Sequence, residues 1–444
     1  MLNLEFGSSG IRGKYPETVN TSVGFELGRI IPRVMGEQLA LGNDPRFSGP
    51  VLKASFVSTA LESGAKIQDY GLIPTPALAY QTKALGRSAG VMITASHNPP
   101  EYNGFKVFNK FGEALDDETH LSLQNARRLT YEGNSSRIEC TEPREYKELL
   151  GKIGFRKKWK VVLDLGNGAA SKLAPAVYRE SLDKATTINA YPDGGFPGRG
   201  SEPTRKSVET LGRMVVATQA DAGVAFDGDA DRMYILDEKG DCPLQDRILA
   251  SYIAFQAKKS KGPFVVPLDS SMVVDEIAEK NNAKLFRGPV GDAKLLREAK
   301  RLKANFAGEP SGAWIHRDYN SCPDGPLSGL LFLKATESLG LSVSDMIRET
   351  PEYHMIREGL HHNGRLSKDT ITTLGPRLRK ILGKDSSIET KFGLRVSTEN
   401  AWVLVRDSGT EPVIRVTGES KDRSEATRIM KETLQALRQV LKKR

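Results

Sequence analysis

The chain has 444 residues, more than one domain usually contains, and this length predicts several hydrophobic cores. Hydrophobic residues make up 39% and charged residues 27% of the sequence, as in a globular protein, and no apolar run is long enough to cross a bilayer. The net charge of +9 is spread along the chain without interleaved aromatics, so it predicts a solvated surface, then anionic small molecules as ligands, ahead of nucleic acid.

Cysteine usage and the amino-terminal residues indicate the compartment. Cys140, Cys242 and Cys322 lie far apart and form no metal-binding or redox spacing. The first six residues lack the basic and apolar regions of a signal peptide. The sequence therefore predicts a cytoplasmic protein with no membrane partner, and it leaves open whether the chain is a monomer or a homodimer.

Residues 1–150 form the first predicted domain and contain two loops suited to binding phosphate. The glycine-rich stretch 6–13 can present backbone N–H groups and the Arg12 guanidinium to an oxyanion. The apolar run 91–93 predicts a buried strand, and a double proline shortly after it forces an irregular loop that carries Ser96. A hydroxyl on such a loop suits a nucleophile or a phosphate carrier, although the same pattern is compatible with an ordinary strand exit. Lys106 returns towards this loop.

Residues 151–246 and 247–352 form the second and third predicted domains. In both, short apolar strands alternate with helical stretches, which predicts mainly parallel sheets covered by helices on both faces. The strand predicted over 160–165 precedes a Gly-Asn-Gly turn, but the third glycine and the acidic residue of a dinucleotide fingerprint are missing, so we do not expect NAD. Residues 353–444 have a different rhythm, with predicted strands at 401–405 and 413–417 and one basic helix, and they predict a smaller α+β domain.

Three alternating carboxylates follow a predicted strand of the second domain. Asp227, Asp229 and Asp231 can converge on one side of an extended or tightly turned backbone, and the small residues between them leave room for a bend. Three carboxylates repel one another unless a cation neutralises them, and all-oxygen ligation favours Mg²⁺. An EF-hand is the competing metal site, but Arg232 occupies the position where that loop needs glycine.

Two further loops are suited to a phosphorylated sugar. In the third domain, Glu309 and Ser311 stand two residues apart, a spacing able to grip neighbouring hydroxyls. In the C-terminal domain, the turn after the first strand offers hydroxyl and N–H donors together with arginine charge to phosphate oxygens. The groups concerned are Arg406, Ser408, Gly409 and Thr410 in the turn and Arg415 on the next strand. Read singly, each loop is compatible with an ordinary turn.

Taken together and in this order, the loops resemble those of the α-D-phosphohexomutase superfamily from end to end. The motifs that carry the resemblance are 94–99 with Asn103, Gly104 and Lys106, then 227–232, 308–312 and 406–415, supported by 6–13, 44–49, 202–204 and 322–325. The resemblance implies an α/β fold of three consecutive α/β domains with mixed, mainly parallel sheets. A smaller C-terminal α+β domain would join them around a central cleft.

The resemblance also implies a reaction and a role for each motif. The enzyme would interconvert hexose 6-phosphate and hexose 1-phosphate through a phosphoserine and a hexose 1,6-bisphosphate, which acts as intermediate and activator. Ser96 would carry the phosphoryl group. The implied Mg²⁺ ligands are Asp227, Asp229, Asp231 and a phosphoserine oxygen, with Arg12, Lys106 and Arg232 around the reacting phosphate. Glu309 and Ser311 would grip the sugar, and Arg406, Ser408, Gly409, Thr410 and Arg415 would hold the phosphate that is not reacting.

Two details bear on the substrate. Many members of the superfamily carry histidine after the Gly-Glu-Pro-Ser-Gly stretch, whereas this chain has Ala313, so that contribution is absent or comes from elsewhere, for example from His316. The sequence around Glu309 resembles archaeal phosphoglucosamine mutases, which predicts glucosamine 6-phosphate as substrate. A phosphomannomutase/phosphoglucomutase is the alternative, and a non-catalytic sugar-phosphate-binding protein is an alternative of another class.

Overall fold

In a computed structural model of the chain, described for residues 10–126, 136–362, 366–408 and 413–442, the strands form four separate sheets that follow one another along the sequence. The first three sheets carry helices on their faces and contain parallel strands, whereas all neighbours in the fourth sheet are antiparallel. The predicted α/β fold with a C-terminal α+β unit is therefore confirmed. None of the helices in the described ranges combines the length and apolarity that a bilayer span requires.

The first sheet has six strands in the order β1-β5-β4-β2-β3-β6. Strands β4, β2, β3 and β6 run parallel, and β1 and β5 add an antiparallel edge. The elements are β1 (Ile11–Lys14), α1 (Thr21–Met35), β2 (Gln38–Asn43), α2 (Gly49–Glu62), β3 (Lys66–Leu72), α3 (Thr75–Ala84), β4 (Ala89–Ile93), β5 (Tyr102–Asn109), α4 (Asp117–Asn125) and β6 (Arg137–Cys140). Asp116 caps α4 by accepting a hydrogen bond from the Thr119 N–H group.

The second and third sheets have four strands each, in the orders β10-β9-β7-β8 and β12-β11-β13-β14. In each sheet the strands are parallel except for one antiparallel edge strand, β10 or β14. The elements of the second unit are α5 (Arg144–Gly151), β7 (Lys160–Asp164), α6 (Ala170–Ser181), β8 (Lys184–Ile188), α7 (Glu209–Ala217), β9 (Ala222–Phe226) and β10 (Met233–Leu236). Those of the third are α8 (Gln245–Lys259), β11 (Phe264–Pro267), α9 (Val273–Lys280), β12 (Leu285–Gly288), α10 (Asp292–Arg301), β13 (Phe306–Gly308), β14 (Trp314–His316), α11 (Gly325–Leu339) and α12 (Val343–Arg348).

The C-terminal sheet has five strands in the order β15-β19-β18-β17-β16, three more than the sequence indicated. Its elements are β15 (His354–His361), α13 (Lys368–Leu382), β16 (Ser387–Glu389), β17 (Leu394–Ser397), β18 (Ala401–Asp407), β19 (Val413–Ser420) and α14 (Arg423–Lys442). Strands β15 and β16 were missed because they are edge strands whose largely exposed residues show no apolar alternation.

One apolar core joins the first three units. A single cluster of buried residues includes Met92 below the first sheet, Leu163 in the second and Phe306 in the third. Each fully buried side chain of this size contributes about 1.5–3 kcal/mol. A buried hydrogen bond of 2.6 Å from the Tyr146 hydroxyl of α5 to Asp324 links the second and third units as well. The loops that these units carry are thus held by shared packing.

The C-terminal unit contacts the third unit through a smaller apolar cluster. Leu268 and Met272 from the third unit pack against Trp402 and Leu404 of β18. The buried Glu419 carboxylate closes this junction, because one of its oxygens accepts hydrogen bonds from the Met272 N–H group at 2.8 Å and from the Trp402 indole at 2.5 Å. The separate core of the C-terminal unit lies on the other side of its sheet, beneath α13 and α14.

Candidate active site

Loops from all four units converge on one cleft of about 320 Å³. The loops after β4, β9, β13 and β18 leave their sheets at the carboxyl ends of those strands, which is where open α/β sheets bind ligands. Each unit contributes to the lining, with Ser96 from the first, Asp231 from the second, Glu309 from the third and Arg415 from the fourth. The structure therefore brings together residues that are more than 300 positions apart in the sequence.

Ser96 lies at the floor of the cleft and is almost completely buried. Its backbone adopts a left-handed conformation with φ of 53°, and its N–H group donates to the Thr94 hydroxyl at 2.8 Å. Its own hydroxyl donates to Asp227 at 2.8 Å. The first and second units thus present the serine hydroxyl directly to the aspartate loop.

Arg46 fixes this loop from below, and sequence reasoning did not identify it as a functional residue. Its buried guanidinium donates to the backbone carbonyls of Ser96, Asn98, Pro99 and Tyr102 at 2.5–2.8 Å. A left-handed non-glycine residue costs about 1–2 kcal/mol, so the loop needs such external support. The Asp-Pro-Arg turn at 44–46 was the available signal, but its partners lie about fifty residues downstream.

The three aspartates meet in the turn between β9 and β10. Carboxylate oxygens of Asp227, Asp229 and Asp231 all lie within 4.8 Å of one another, and all three side chains are buried. Glycine is required at position 228, because a Cβ there would lie 2.5 Å from the Ser96 carbonyl oxygen. The backbone of this turn therefore packs directly against the backbone of the serine loop.

The charge of the triad is only partly compensated by protein groups. The buried Lys106 ammonium lies 2.7 Å from Asp229 and 2.5 Å from Asp231. Burial, with the adjacent charges of Asp231 and Asp229, raises the pKa of Asp227 well above its usual value. Burial acts in the same direction on Asp229, but the charge and hydrogen bond of Lys106 and a hydrogen bond from the Thr75 hydroxyl outweigh it and lower the pKa of that carboxyl.

Two oxygens of the triad fit a bound cation. Oδ1 of Asp229 and Oδ1 of Asp231 are buried and have no hydrogen-bond partner in the described part of the chain. An unsatisfied buried carboxylate oxygen costs free energy, and a hard cation with oxygen ligands removes this cost. The donor set therefore fits a divalent metal ion beside the Ser96 hydroxyl.

Arginines make the upper side of this floor positive. Arg12 of β1 and Arg232 line the same cleft as Ser96. Arg232 also donates to Glu202 at 3.1 Å, and its backbone N–H group donates to Asp227 at 3.1 Å. The Arg232 charge, followed by burial, lowers the pKa of His97 to about 2, so this imidazole stays neutral beside the serine.

The Glu309 loop forms the third wall of the cleft. One Glu309 carboxylate oxygen accepts from the Gly291 N–H group at 3.0 Å, and the other accepts from the Ser311 hydroxyl at 3.0 Å. Burial and the nearby Asp292 charge raise the pKa of Glu309 to about 7, against the opposing charge of Arg232. Ser311 lines an adjoining compartment of about 410 Å³ rather than the cleft that contains Ser96.

His316 does not replace the histidine that many members of the superfamily carry at the position of Ala313. Ala313 lines the cleft with its methyl group. His316, which the sequence offered as a substitute, is buried in the third unit, where its Nε2 lies 3.1 Å from the Ser328 hydroxyl. It lines a separate depression on that unit, so it does not reach the cleft.

The fourth wall belongs to the C-terminal sheet. Arg406, Ser408 and Arg415 all line the cleft. Gly409 and Thr410 lie outside the described residues. The Arg406 guanidinium forms a 3.1 Å ion pair with Asp269 of the third unit, and Arg357 of β15 joins the lining as an arginine that the sequence did not single out. The arrangement as a whole can hold an anion at each end of a small polar molecule.

All four units of the chain match domains of known proteins. Residues 3–128, 147–240 and 246–353 match the α/β/α domains I, II and III of phosphoglucomutase/phosphomannomutase, and residues 367–436 match the C-terminal domain of the same family. A protein of Methanobrevibacter smithii named probable phosphoglucosamine mutase is 37% identical, over 96% of this chain and 97% of its own length.

Solved structures share the fold at lower sequence identity. A phosphoglucomutase/phosphomannomutase family protein from Burkholderia thailandensis superimposes with a TM-score of 0.85 at 24% identity, covering 99% of this chain and 98% of its own. The N-acetylphosphoglucosamine mutase of Aspergillus fumigatus, solved with GlcNAc-6P and magnesium, superimposes with a TM-score of 0.67 at 15% identity. That match covers 98% of this chain and 96% of the other.

Proposed function

This chain belongs to the phosphoglucomutase/phosphomannomutase family, and on that premise we propose that it interconverts hexose 6-phosphate and hexose 1-phosphate through a phosphoserine at Ser96. The observation that carries the proposal is the contact between the Ser96 hydroxyl and Asp227, 2.8 Å apart, beside two carboxylate oxygens that lack hydrogen-bond partners in the described residues. A serine hydroxyl is a poor phosphoryl acceptor until charge beside it is neutralised, and this arrangement provides for that.

The metal we propose is Mg²⁺, held by Asp227, Asp229, Asp231 and an oxygen of phosphoserine. Bound there, the ion would neutralise charge on the transferring phosphoryl group. The same role falls to Lys106 and Arg12 from the first unit, while Arg232 orients the group from the second. Such fixed charges account for most of the catalysis of phosphoryl transfer, because the reaction demands alignment and charge stabilisation rather than covalent chemistry.

Two transfers of opposite direction complete the reaction. In the first, the P–O bond to Ser96 Oγ breaks while a P–O bond to the free sugar hydroxyl forms, the proton of that hydroxyl passes to Oγ, and the product is a hexose 1,6-bisphosphate. The bisphosphate turns over in the cleft. In the second, the other P–O bond to the sugar breaks, a P–O bond to Ser96 Oγ forms, and the Oγ proton passes to the released sugar oxygen. The unphosphorylated Ser96 hydroxyl donates to Asp227 Oδ2, and the Oγ–Oδ2 distance is 2.8 Å. The cleft must therefore accept the sugar in two orientations.

The four predicted domains, 1–150, 151–246, 247–352 and 353–444, would supply one function each. We propose that the first carries the phosphoryl group, the second the metal and the third, through Glu309 and Ser311, the sugar. The fourth would hold the distal phosphate with Arg406, Ser408, Gly409, Thr410 and Arg415. The three cysteines carry free thiols, which is typical of a reducing compartment, and this supports a cytoplasmic enzyme.

Glucosamine 6-phosphate is the substrate that we propose. Its support is the 37% identity to a relative named probable phosphoglucosamine mutase, together with the form of the Glu309 loop. A phosphomannomutase/phosphoglucomutase is the second candidate, supported by the name of the matching domain models. A coupled assay that compares kcat/KM for glucosamine, mannose and glucose 6-phosphates separates the two.

Intact-mass analysis after incubation with hexose 1,6-bisphosphate tests the mechanism directly. We expect wild type to gain one phosphate that maps to Ser96, and Ser96→Ala to gain none and to lose turnover by orders of magnitude. The Ser96 side chain is small and lies at the cleft, so the variant should keep its thermal unfolding midpoint within a few degrees. A label on another residue, or normal turnover by Ser96→Ala, would show the mechanism to be wrong, and binding without turnover in wild type would indicate a non-catalytic protein.

A further inference from the structure

One face of the C-terminal sheet changes its chemistry along the strands. The strand register places Met355, Trp402 and Glu419 in one row across β15, β18 and β19, and this row packs against the third unit. A second row lies four residues further along β15 and β18, and four residues earlier on the antiparallel strand β19. It contains Gly359, Arg406 and Arg415. Arg357 stands between the two rows on β15. The same face is therefore apolar where it joins the third unit and basic where it lines the cleft.

The guanidinium of Arg415 lies beside Gly359 of β15. Directly paired residues of antiparallel strands point to the same side of the sheet, so a side chain at 359 would stand next to Arg415. A Cβ at Gly359 would lie 3.9 Å from Arg415 Nη1. The guanidinium of Arg415 thus leans over β15, the strand that also carries Arg357.

The three arginines of this face differ in their exposure and in their polar contacts. Arg406 is half-buried and its Nη2 is held by Asp269 at 3.1 Å, so its charge is shared with the third unit. Arg357 is exposed, lines both the Ser96 cleft and the adjoining compartment, and makes no hydrogen bond or ion pair with any described residue. Its charge does reach the buried Asp246 carboxyl, where it opposes the rise in pKa that burial causes. Arg357 is therefore not held in place by a polar contact within the described part of the chain.

We propose that Arg357 is a second phosphate-binding arginine, which together with Arg415 takes the non-reacting phosphate of the substrate and of the bisphosphate intermediate. This proposal rests on the proposed mutase function. A phosphate dianion accepts two guanidinium forks readily, because each fork offers parallel N–H donors and one charge. Arg406 would contribute its remaining donors to this phosphate while its Nη2 pairs with Asp269 of the third unit. Arg357 also borders the adjoining compartment, so it can follow the phosphate as the intermediate turns.

The test substitutes Arg357 by glutamine, which keeps a polar side chain but removes the charge and the guanidinium donors. We expect KM for the sugar phosphate to rise about tenfold or more, because the lost contact is charge-assisted, while kcat changes little. The second readout is competitive inhibition by inorganic phosphate, measured on enzyme phosphorylated at Ser96, in which the reacting-phosphate position is already filled. The inhibition constant should rise by the same factor as KM.

Arg438→Gln is the matched control. Arg438 is likewise an exposed arginine of the C-terminal unit, but it lies on α14, which covers the opposite face of the sheet. It should leave both constants unchanged. An unaltered KM for Arg357→Gln overturns the proposal, and so does a raised KM with unaltered phosphate inhibition, which would place the contact on the sugar. If wild type itself shows no turnover and no label at Ser96, the mutase function fails instead.

Discussion

The floor of the cleft and its C-terminal wall present charge in opposite ways. On the floor, Lys106 and the three aspartates are almost completely buried. Lys106 pairs with Asp229 and Asp231, and Asp227 accepts from the Ser96 hydroxyl, so their positions are fixed before any ligand arrives. On the wall, Arg357 is exposed and stands on an edge strand. The cost of desolvating the floor charges is met during folding, whereas the wall loses its solvation only when a ligand binds. The floor is thus built for catalysis and the wall for binding.

The largest effect should come from removing one floor charge. Asp229→Asn keeps the shape of the side chain but removes a negative charge from the triad and one ion pair of Lys106. We expect kcat to fall by about 10²–10³-fold, as when one preorganised electrostatic group is lost, with KM changed little. The Mg²⁺ concentration needed for half-maximal activity should rise. Steady-state kinetics over a Mg²⁺ titration measures both.

A matched control for this variant is Asp183→Asn. Asp183 belongs to the same unit, is exposed and makes no hydrogen bond or ion pair with any described residue. Its replacement should leave kcat and the Mg²⁺ dependence unchanged. If Asp229→Asn behaves like this control, the buried triad is a structural feature and the contrast between floor and wall is lost.

Weakening the support of the serine loop should have the next largest effect on activity. Arg46→Lys keeps the positive charge but cannot donate to four carbonyls in different directions. We expect kcat to fall by about tenfold to a hundredfold, since one or two charge-assisted hydrogen bonds to the loop are lost. KM should stay nearly constant because the wall is untouched. A variant whose unfolding midpoint falls while the rate per folded enzyme is unchanged would limit Arg46 to stability.

On the wall, the effect should appear in KM. Arg415→Ala removes a charge-assisted contact that is worth about 1.5–3 kcal/mol, which corresponds to about tenfold to a hundredfold in KM. The phosphate is held equally in the ground and transition states, so kcat should change much less. Initial-rate measurements over a wide range of sugar phosphate test this. A normal KM would place the distal phosphate elsewhere in the cleft.

The smallest expected effect is a pH dependence caused by Glu309, on the wall that the third unit contributes. Burial raises the pKa of Glu309 to about 7, so this carboxyl is mostly protonated below pH 7 and mostly ionised above it. If the ionised form accepts hydrogen bonds from the sugar, kcat/KM should increase several-fold as the pH rises through about 7. Glu309→Gln should flatten this part of the profile and alter the ranking of the three sugars.

The phosphate of the substrate titrates near pH 6, and its contribution should remain in the variant. Wild type and variant are therefore compared over the same pH range with the same sugar. An unchanged profile and ranking would remove Glu309 from sugar recognition.

Short motifs, read together and in their order along the chain, predicted most of the residues that line the candidate site. The Ser96 loop, the alternating aspartates and the Glu309 turn are each defined by short spacings, because the chemistry of a loop depends on residues a few positions apart. The alternation of strands and helices likewise predicted the α/β class, since each element must bury one apolar face. These features depend on backbone conformation within about ten residues, which is the range that local sequence controls.

Tertiary structure decided how these loops meet and which supporting residues complete them. Arg46 and Thr75 reach their partners across about fifty and more than a hundred and fifty residues, respectively, and nothing in their own neighbourhoods indicates those partners. The burial of Ser96 depends on the aspartate turn packing over it, and Arg357 faces the cleft only because β15 pairs with β19 in one register. Contacts of this kind arise from packing between units, so they follow from the folded chain as a whole and not from any single stretch of it.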